Sequence, residues 1–189
     1  MSPDPWSLAL FLLVAFTMAG AAQTAWFGSP WSRAFMAPLD GGSTLRGRRI
    51  FGPHKTIRGL VGMVPAAAAA FGLLAWLLRD RPGIWPLSVA QYVALGGWAG
   101  LGFMAGELPN SFIKRQLGIA AGQAPERPAA VVAQFVADRL DSGIGMLAAI
   151  SVAVHVPVLT WAYVLLVGPF IHWCFSLLMF RLGIKARPA

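Results

Sequence analysis

Long stretches of this chain hold no Asp, Glu, Lys or Arg: residues 5–32, 59–78, 82–106 and 142–180. A helix needs about 20 apolar residues to cross the hydrocarbon core of a bilayer. The first three stretches therefore predict spans at about 6–25, 59–78 and 84–106. The last is too long for one helix. His155-Val156-Pro157 breaks it, because proline removes a backbone donor and disfavours helix in the residue before it. A final span follows at 157–180. The helix before it, 128–154, carries Asp138, Arg139 and Asp141 inside its apolar length. The expectation is an all-α membrane protein, one integral domain over 1–189 with about five transmembrane helices. Loops at 33–58 and 107–127 would form the site.

Composition agrees. Hydrophobic residues make up 57% and charged residues 12%, against about 25% charged in a soluble domain. Disorder needs the opposite balance. A signal peptide ending near Ala19-Gly20-Ala21 is the alternative for the first run. No Lys or Arg precedes it and the run is long for such a peptide, so a retained span is expected. The single cysteine, Cys174, excludes a disulfide framework and a cysteine zinc cluster.

The formal charge of +8 would suggest nucleic acid in a soluble protein. Here the charges sit between apolar runs, so no nucleic-acid partner is expected. Five spans place Arg33, Arg46, Arg48, Arg49, Lys55, Arg58, Lys114, Arg115, Arg127, Arg181, Lys185 and Arg187 on one side, against Arg79 and Arg81 on the other. Basic loops face the cytoplasm. The N-terminus is expected outside and the C-terminus in the cytoplasm of a multi-pass cell-membrane protein. Gly96/Gly100 and Gly102/Gly106 have the spacing that lets helix backbones approach closely, within the chain or in a homodimer.

Asp138 and Asp141 are three residues apart, on one face of a helix. Charges within a membrane helix are costly and face a partner, a cavity or an ion. Two carboxylates on one face suit Mg2+, which binds a few carboxylates plus waters and phosphates. An Asp–Arg pairing between helices is the structural alternative. Glu107 supplies a third carboxylate or simply meets water at the membrane edge. Ser111 caps a short helix whose amides, with Lys114, face a phosphate; otherwise Lys114-Arg115 only sets orientation. The first loop holds Asp40-Gly41-Gly42 and Gly52-Pro53-His54-Lys55-Thr56-Ile57-Arg58-Gly59. Its glycine amides and its Lys, Thr and Arg donors are phosphate-binding chemistry, without the order of a Walker A loop. Attraction to anionic lipid would use the same charges. Together these pieces suit a nucleoside triphosphate arriving from the cytosol and a phosphate-bearing lipid arriving from the bilayer. A non-catalytic lipid-binding or scaffold protein would explain the loops but not Asp138 and Asp141; a transporter is the weaker third option.

Ser111-Phe112-Ile113-Lys114-Arg115 followed by Asp138-Arg139-Leu140-Asp141-Ser142 resembles the signature of phosphatidate cytidylyltransferases. His54-Lys55-Thr56-Ile57-Arg58-Gly59 and Lys114-Arg115-Gln116-Leu117-Gly118-Ile119 resemble the CDP-archaeol synthase branch more closely. Glu107 stands where that branch usually has Asp, and Ile57 where Trp is common. The resemblance implies a five-span, Mg2+-dependent enzyme that condenses CTP with a lipid phosphate, archaetidic acid-like or phosphatidate, giving a CDP-lipid and pyrophosphate. It implies metal on Asp138 and Asp141; Glu107, from the reading of the residues, is the candidate third ligand. It implies phosphate contacts from Lys55, Arg58, Lys114 and Arg115, with Asp40, Thr56, Asn110 and Ser111 as further candidate substrate contacts.

Overall fold

In the computed structural model, which describes residues 3–79, 81–123 and 128–184, the apolar runs are helical. Arg127, Lys185 and Arg187 lie outside the described residues. Helix α1 spans Pro5–Gly28. The Asp4 carboxylate accepts from Ser7 N at 2.7 Å, and Pro5 fills the first turn, where its missing N–H costs nothing. Helix α2 is Ile57–Leu77 and α3 is Val89–Gln116. The α3 start is a capping box between Ser88 and Gln91. Helices α4, Pro128–Ala153, and α5, Val158–Arg181, flank the break at 154–157.

By length and composition α1, α2 and α5 are apolar enough to cross a membrane. Helices α3 and α4 are as long, at 28 and 26 residues. Their charged residues lie in the halves nearer the basic loops and turn into the bundle rather than toward lipid, as intramembrane charges must. Each helix packs on the next, and α5 returns to pack on α1, so the five close into a ring.

One half of this ring is filled. Leu8, Phe11, Leu12, Phe71, Tyr92, Leu147 and Ile150 form its buried centre. Trp85 Nε1 donates to His155 O at 2.9 Å, and Thr160 Oγ1 to Pro5 O at 3.0 Å, tying the connections at that end. The half toward the basic loops is hollow.

Glycines set the spacing of the α2–α3 and α3–α4 pairs. A Cβ on Gly96 would stand 2.6 Å from Ala67 O of α2. A Cβ on Gly145 of α4 would stand 2.6 Å from Gly106 Cα of α3. Only hydrogen at these positions allows backbones so close. The glycine faces noted in the sequence thus serve packing inside the chain.

The expected loop at 107–127 is corrected in its first part: α3 continues to Gln116, through Pro109. Ser111 therefore lies inside a helix and caps nothing. A proline within a helix frees one carbonyl and bends the axis without necessarily ending it. Here the backbone is clamped against α4 at Gly106, and Lys114 and Arg115 suit the negative end of the helix dipole.

The first basic loop is folded around Asp40. Its carboxylate accepts from the amides of Gly42, Phe51 and Gly52, each at 3.0 Å, and from Arg49 Nη2 at 2.5 Å. A two-residue hairpin joins β1, Thr44–Leu45, to β2, Arg48–Arg49. Both turn residues, Arg46 and Gly47, have positive φ, as such tight hairpins require. Leu39 N donates to Lys55 O at 2.8 Å, and Ile57 N to Ala37 O at 3.0 Å. The segment carrying Lys55 and Thr56, just before α2, is thereby paired with residues 37–39.

Candidate active site

Glu107, Asn110, Ser111 and Lys114 share one face of α3 because they are spaced by three and four residues. Asp138, Asp141 and Ser142 do the same on α4. The glycine-clamped crossing at Gly106 and Gly145 brings these two faces together. Asn110 Nδ2 donates to Asp138 Oδ1 at 2.5 Å and to Asp141 Oδ2 at 2.9 Å. Lys114 Nζ pairs with Asp138 Oδ1 at 2.6 Å. The Ser142 hydroxyl stands 3.0 Å from Glu107 Oε1 and 3.2 Å from Asp141 Oδ1, so its single proton serves one or the other. Lys55 reaches across from the loop to pair with Glu107 Oε2.

This cluster sits on the wall of a cavity of about 810 Å3 inside the hollow half of the ring. Towards the loops its lining is polar, with His54, Lys55, Thr56, Ser111, Lys114 and Arg115 beside the carboxylates. Deeper it is apolar, with Leu12, Phe16, Met63, Phe103, Val164 and Phe175. One compartment thus offers cationic donors to phosphates and hydrocarbon walls to a chain.

The site residues expected from sequence divide. Lys55, Thr56, Glu107, Asn110, Ser111, Lys114, Arg115, Asp138 and Asp141 all line the cavity. Arg58 and Asp40 are not among its lining residues. Arg58 binds back onto the end of α1, donating to Phe27 O and to Ser32 Oγ (2.9 Å), with its guanidinium 4.9 Å from the Phe27 ring centre. Asp40 is the loop's internal anchor. The Arg49 guanidinium bonded to it holds its carboxyl well below the usual carboxylate range, and the three amides act the same way.

Glu107 is turned to other partners. Among the described residues no three His, Cys, Asp or Glu side chains converge. The reason is local: Lys55 and Ser142 hold its two oxygens. Asp138 and Asp141 do converge, on a single amide nitrogen. Asp141 pairs with no Lys or Arg among the described residues. Two carboxylate oxygens around one point, with an amide that can present its carbonyl instead of its NH2, is a donor set that fits a hard divalent cation with waters and phosphates.

Sequence reasoning passed over Gln23 and Gln134, and gave Ser142 no role although it ends the acidic motif. Gln23 Nε2 donates to Gly59 O at 3.3 Å and faces the cavity from α1. Gln134 lies one turn before Asp138 on the same face, and Ser142 one turn after it. Their spacing from Asp138 was the available signal. For Gln23 the signal was a long polar side chain in an uncharged span.

The family described as CarS-like, CDP-archaeol synthase, matches residues 9–188. This chain belongs to that family. A CDP-archaeol synthase of Aeropyrum pernix is 36% identical over 158 residues, 80% of this chain and 78% of that protein. One from Thermococcus onnurineus is 29% identical over 155 residues, 80% of this chain and 82% of that protein. A solved structure of an intramembrane enzyme for archaeal membrane lipids biosynthesis superposes with a TM-score of 0.58 at 26% identity, covering 94% of this chain and 93% of its own. As a CDP-archaeol synthase family member the chain is a multi-pass membrane enzyme, a CTP-dependent cytidylyltransferase acting on a lipid phosphate. The non-catalytic alternative finds no support.

Proposed function

We propose that the chain joins CTP to an archaetidic acid-like lipid phosphate in the hollow half of the ring, giving a CDP-lipid and pyrophosphate. The supporting observation is the carboxylate pair bridged by Asn110, on the wall of a cavity that is cationic at one end and apolar at the other. A phosphate oxygen of the lipid attacks the α-phosphorus of CTP. A new P–O–P linkage forms as the bond from the α-phosphorus to the oxygen bridging it to the β-phosphorus breaks, and pyrophosphate takes that electron pair. Two anions must meet, so the protein's task is charge neutralisation and in-line positioning. No nucleophilic side chain is required, since the attacking phosphate is already ionised.

Asp138 and Asp141 are the residues that would hold Mg2+, with Asn110 beside them. When bound there, the ion would neutralise phosphate charge. Lys114, tethered to Asp138, stands beside that position and would hold a CTP phosphate. Lys55 and Arg115 would take the remaining negative charge from the loop side, with Thr56 and Ser111 as neutral donors. Lys55 is poised to exchange Glu107 for a phosphate oxygen, and Glu107 keeps the lysine aimed into the cavity until then.

The basic loops are proposed to face the cytoplasm, where CTP is made available, with the N-terminus outside. The bias of Lys and Arg toward that end carries this. The test is pyrophosphate release and CDP-lipid formation by purified protein in detergent with CTP and Mg2+. Archaetidic acid-like lipid and phosphatidate are compared in parallel. Preference for the ether lipid is expected; equal or better turnover of phosphatidate would overturn the lipid assignment.

A further inference from the structure

Helix α3 ends in a turn that uses most of its last carbonyls. Leu117 N donates to Ile113 O at 2.9 Å, Gly118 N to Arg115 O at 3.0 Å and Ile119 N to Lys114 O at 3.0 Å. Gly118 has a φ of 79°, the left-handed conformation such a helix end requires. Of the carbonyls at 113–116, the turn leaves that of Gln116 over.

Arg48, on β2 of the loop hairpin, takes it: its Nη1 donates to Gln116 O. The guanidinium carbon would lie 3.8 Å from a Cβ on Gly118, so the turn closes around the arginine. A cation also suits this end of the helix dipole. Gln116 answers through its side chain, with Nε2 donating to Arg49 O at 3.4 Å. The hairpin and the end of α3 thus clasp each other in both directions.

The clasp joins two groups of cations at the polar end of the cavity. On the loop side Arg49 binds Asp40, Asp40 binds the amides of Phe51 and Gly52, and Leu39 N binds Lys55 O. That series of bonds runs from β2 to Lys55. On the helix side Lys114 and Arg115 stand just before Gln116. Arg115 also leans on the loop: a Cβ on Gly52 would stand 3.3 Å from Arg115 Cδ. The Arg115 Nε is buried without a hydrogen-bond partner, so packing on the loop sets where this stem lies. Arg48 itself is not among the residues lining the cavity.

We propose that Arg48 is a positioning residue for nucleotide binding. By capping Gln116 it makes the loop and the end of α3 one unit, and so sets the spacing at which Lys55 and Arg115 meet the phosphates of CTP. This rests on the cytidylyltransferase reading. Arg48 acts through Gln116 and touches no substrate. Cations already in place bind a polyphosphate without the cost of ordering them, and that advantage belongs to binding rather than to the chemical step.

Arg48→Gln, Arg48→Lys and Gln116→Ala test it in the purified enzyme with Mg2+, with CTP and lipid phosphate varied separately. Arg48→Gln should raise the KM for CTP about tenfold, the scale of losing a hydrogen bond from a charged group. Its kcat and its KM for lipid phosphate should stay within about twofold of wild type, since only uniform binding of CTP is weakened. Arg48→Lys keeps the charge and a donor and should fall between. Gln116→Ala leaves every cation in the chain and should still raise the KM for CTP, by about threefold, the scale of one neutral hydrogen bond. Thermal midpoints should match wild type, because the clasp lies outside the packed half of the ring. An unchanged KM for CTP in Arg48→Gln overturns the inference. So does an unchanged KM in Gln116→Ala, which would make Arg48 a direct phosphate contact. A lower thermal midpoint with kcat and both KM values altered alike overturns it too. Wild-type turnover of CTP and lipid phosphate tests the underlying reading separately.

Discussion

Asp138 and Asp141 accept from one amide, and the geometry makes different demands on each. Asp138 already has Lys114, whereas Asp141 has only neutral donors, Asn110 and Ser142. Its charge is the one most in need of a cation. Asp141→Asn should therefore keep the fold and lower turnover by about 100-fold or more, the scale of losing one aimed electrostatic group, measured as pyrophosphate release. Asn110→Leu removes the group that spaces the two carboxylates. A loss of roughly 10–100-fold is expected, as for other groups that orient metal ligands, with the required Mg2+ concentration rising in parallel. A mutant with normal Mg2+ dependence would show that Asn110 only packs. Asp40 belongs to a different problem. Its carboxyl is depressed by Arg49 and three amides, so the stability it contributes is complete above its unfolded value of about 4. That contribution falls as pH drops from there through the folded value. Loop 40–52 should thus resist proteolysis at pH 5–8 and become susceptible only in stronger acid. Asp40→Asn should be susceptible already at pH 7.

Helices α3 and α4 owe their alignment to glycine rather than to the charged residues they display. Gly106 and Gly145 meet backbone to backbone, and the polar faces then fall into register one turn further along. Gly145→Val should cost about 3 kcal/mol or more, since overpacking here pushes on main chain rather than on a movable side chain. Its thermal midpoint in detergent should fall and activity should go with it. A fully active, equally stable variant would remove this crossing from the account of the site. The same crossing shows what could be read in the sequence. The Asp138/Asp141 face followed from helical spacing alone, and the glycine pairs announced a close contact. What they would contact was not legible, because spacing fixes a face but not the helix opposite. The end of α3 was misplaced for a related reason. Pro109 reads as a stop locally, and only the tertiary clamp at Gly106 shows why the helix goes on to Gln116.

At the scale of the whole molecule, the closed ring explains how a chain so poor in charge concentrates it. The packed half holds the helices together through apolar contact, which leaves the other half hollow, with a polar mouth and apolar depths. Five helices and their alternation were readable from the apolar runs and the breaks between them. The division of the basic loop was not. Arg58 and Asp40 look like substrate contacts by composition, yet they are used in tying α2 to α1 and in closing the loop. Only folding separates donors used internally from those left facing the cavity. Orientation is testable at this scale too. A cysteine placed at Arg46, in a Cys174→Ser background, should resist an impermeant thiol reagent in intact cells and react after lysis. Labelling in intact cells would invert the proposed topology. The most direct test remains catalysis by the purified protein with CTP, Mg2+ and an archaetidic acid-like lipid, with Asp141→Asn as the control. CDP-lipid and pyrophosphate in equal amounts, abolished by chelating the metal and nearly absent in the variant, is the expected result. Folded wild-type protein that neither binds CTP nor releases pyrophosphate with either lipid would contradict it.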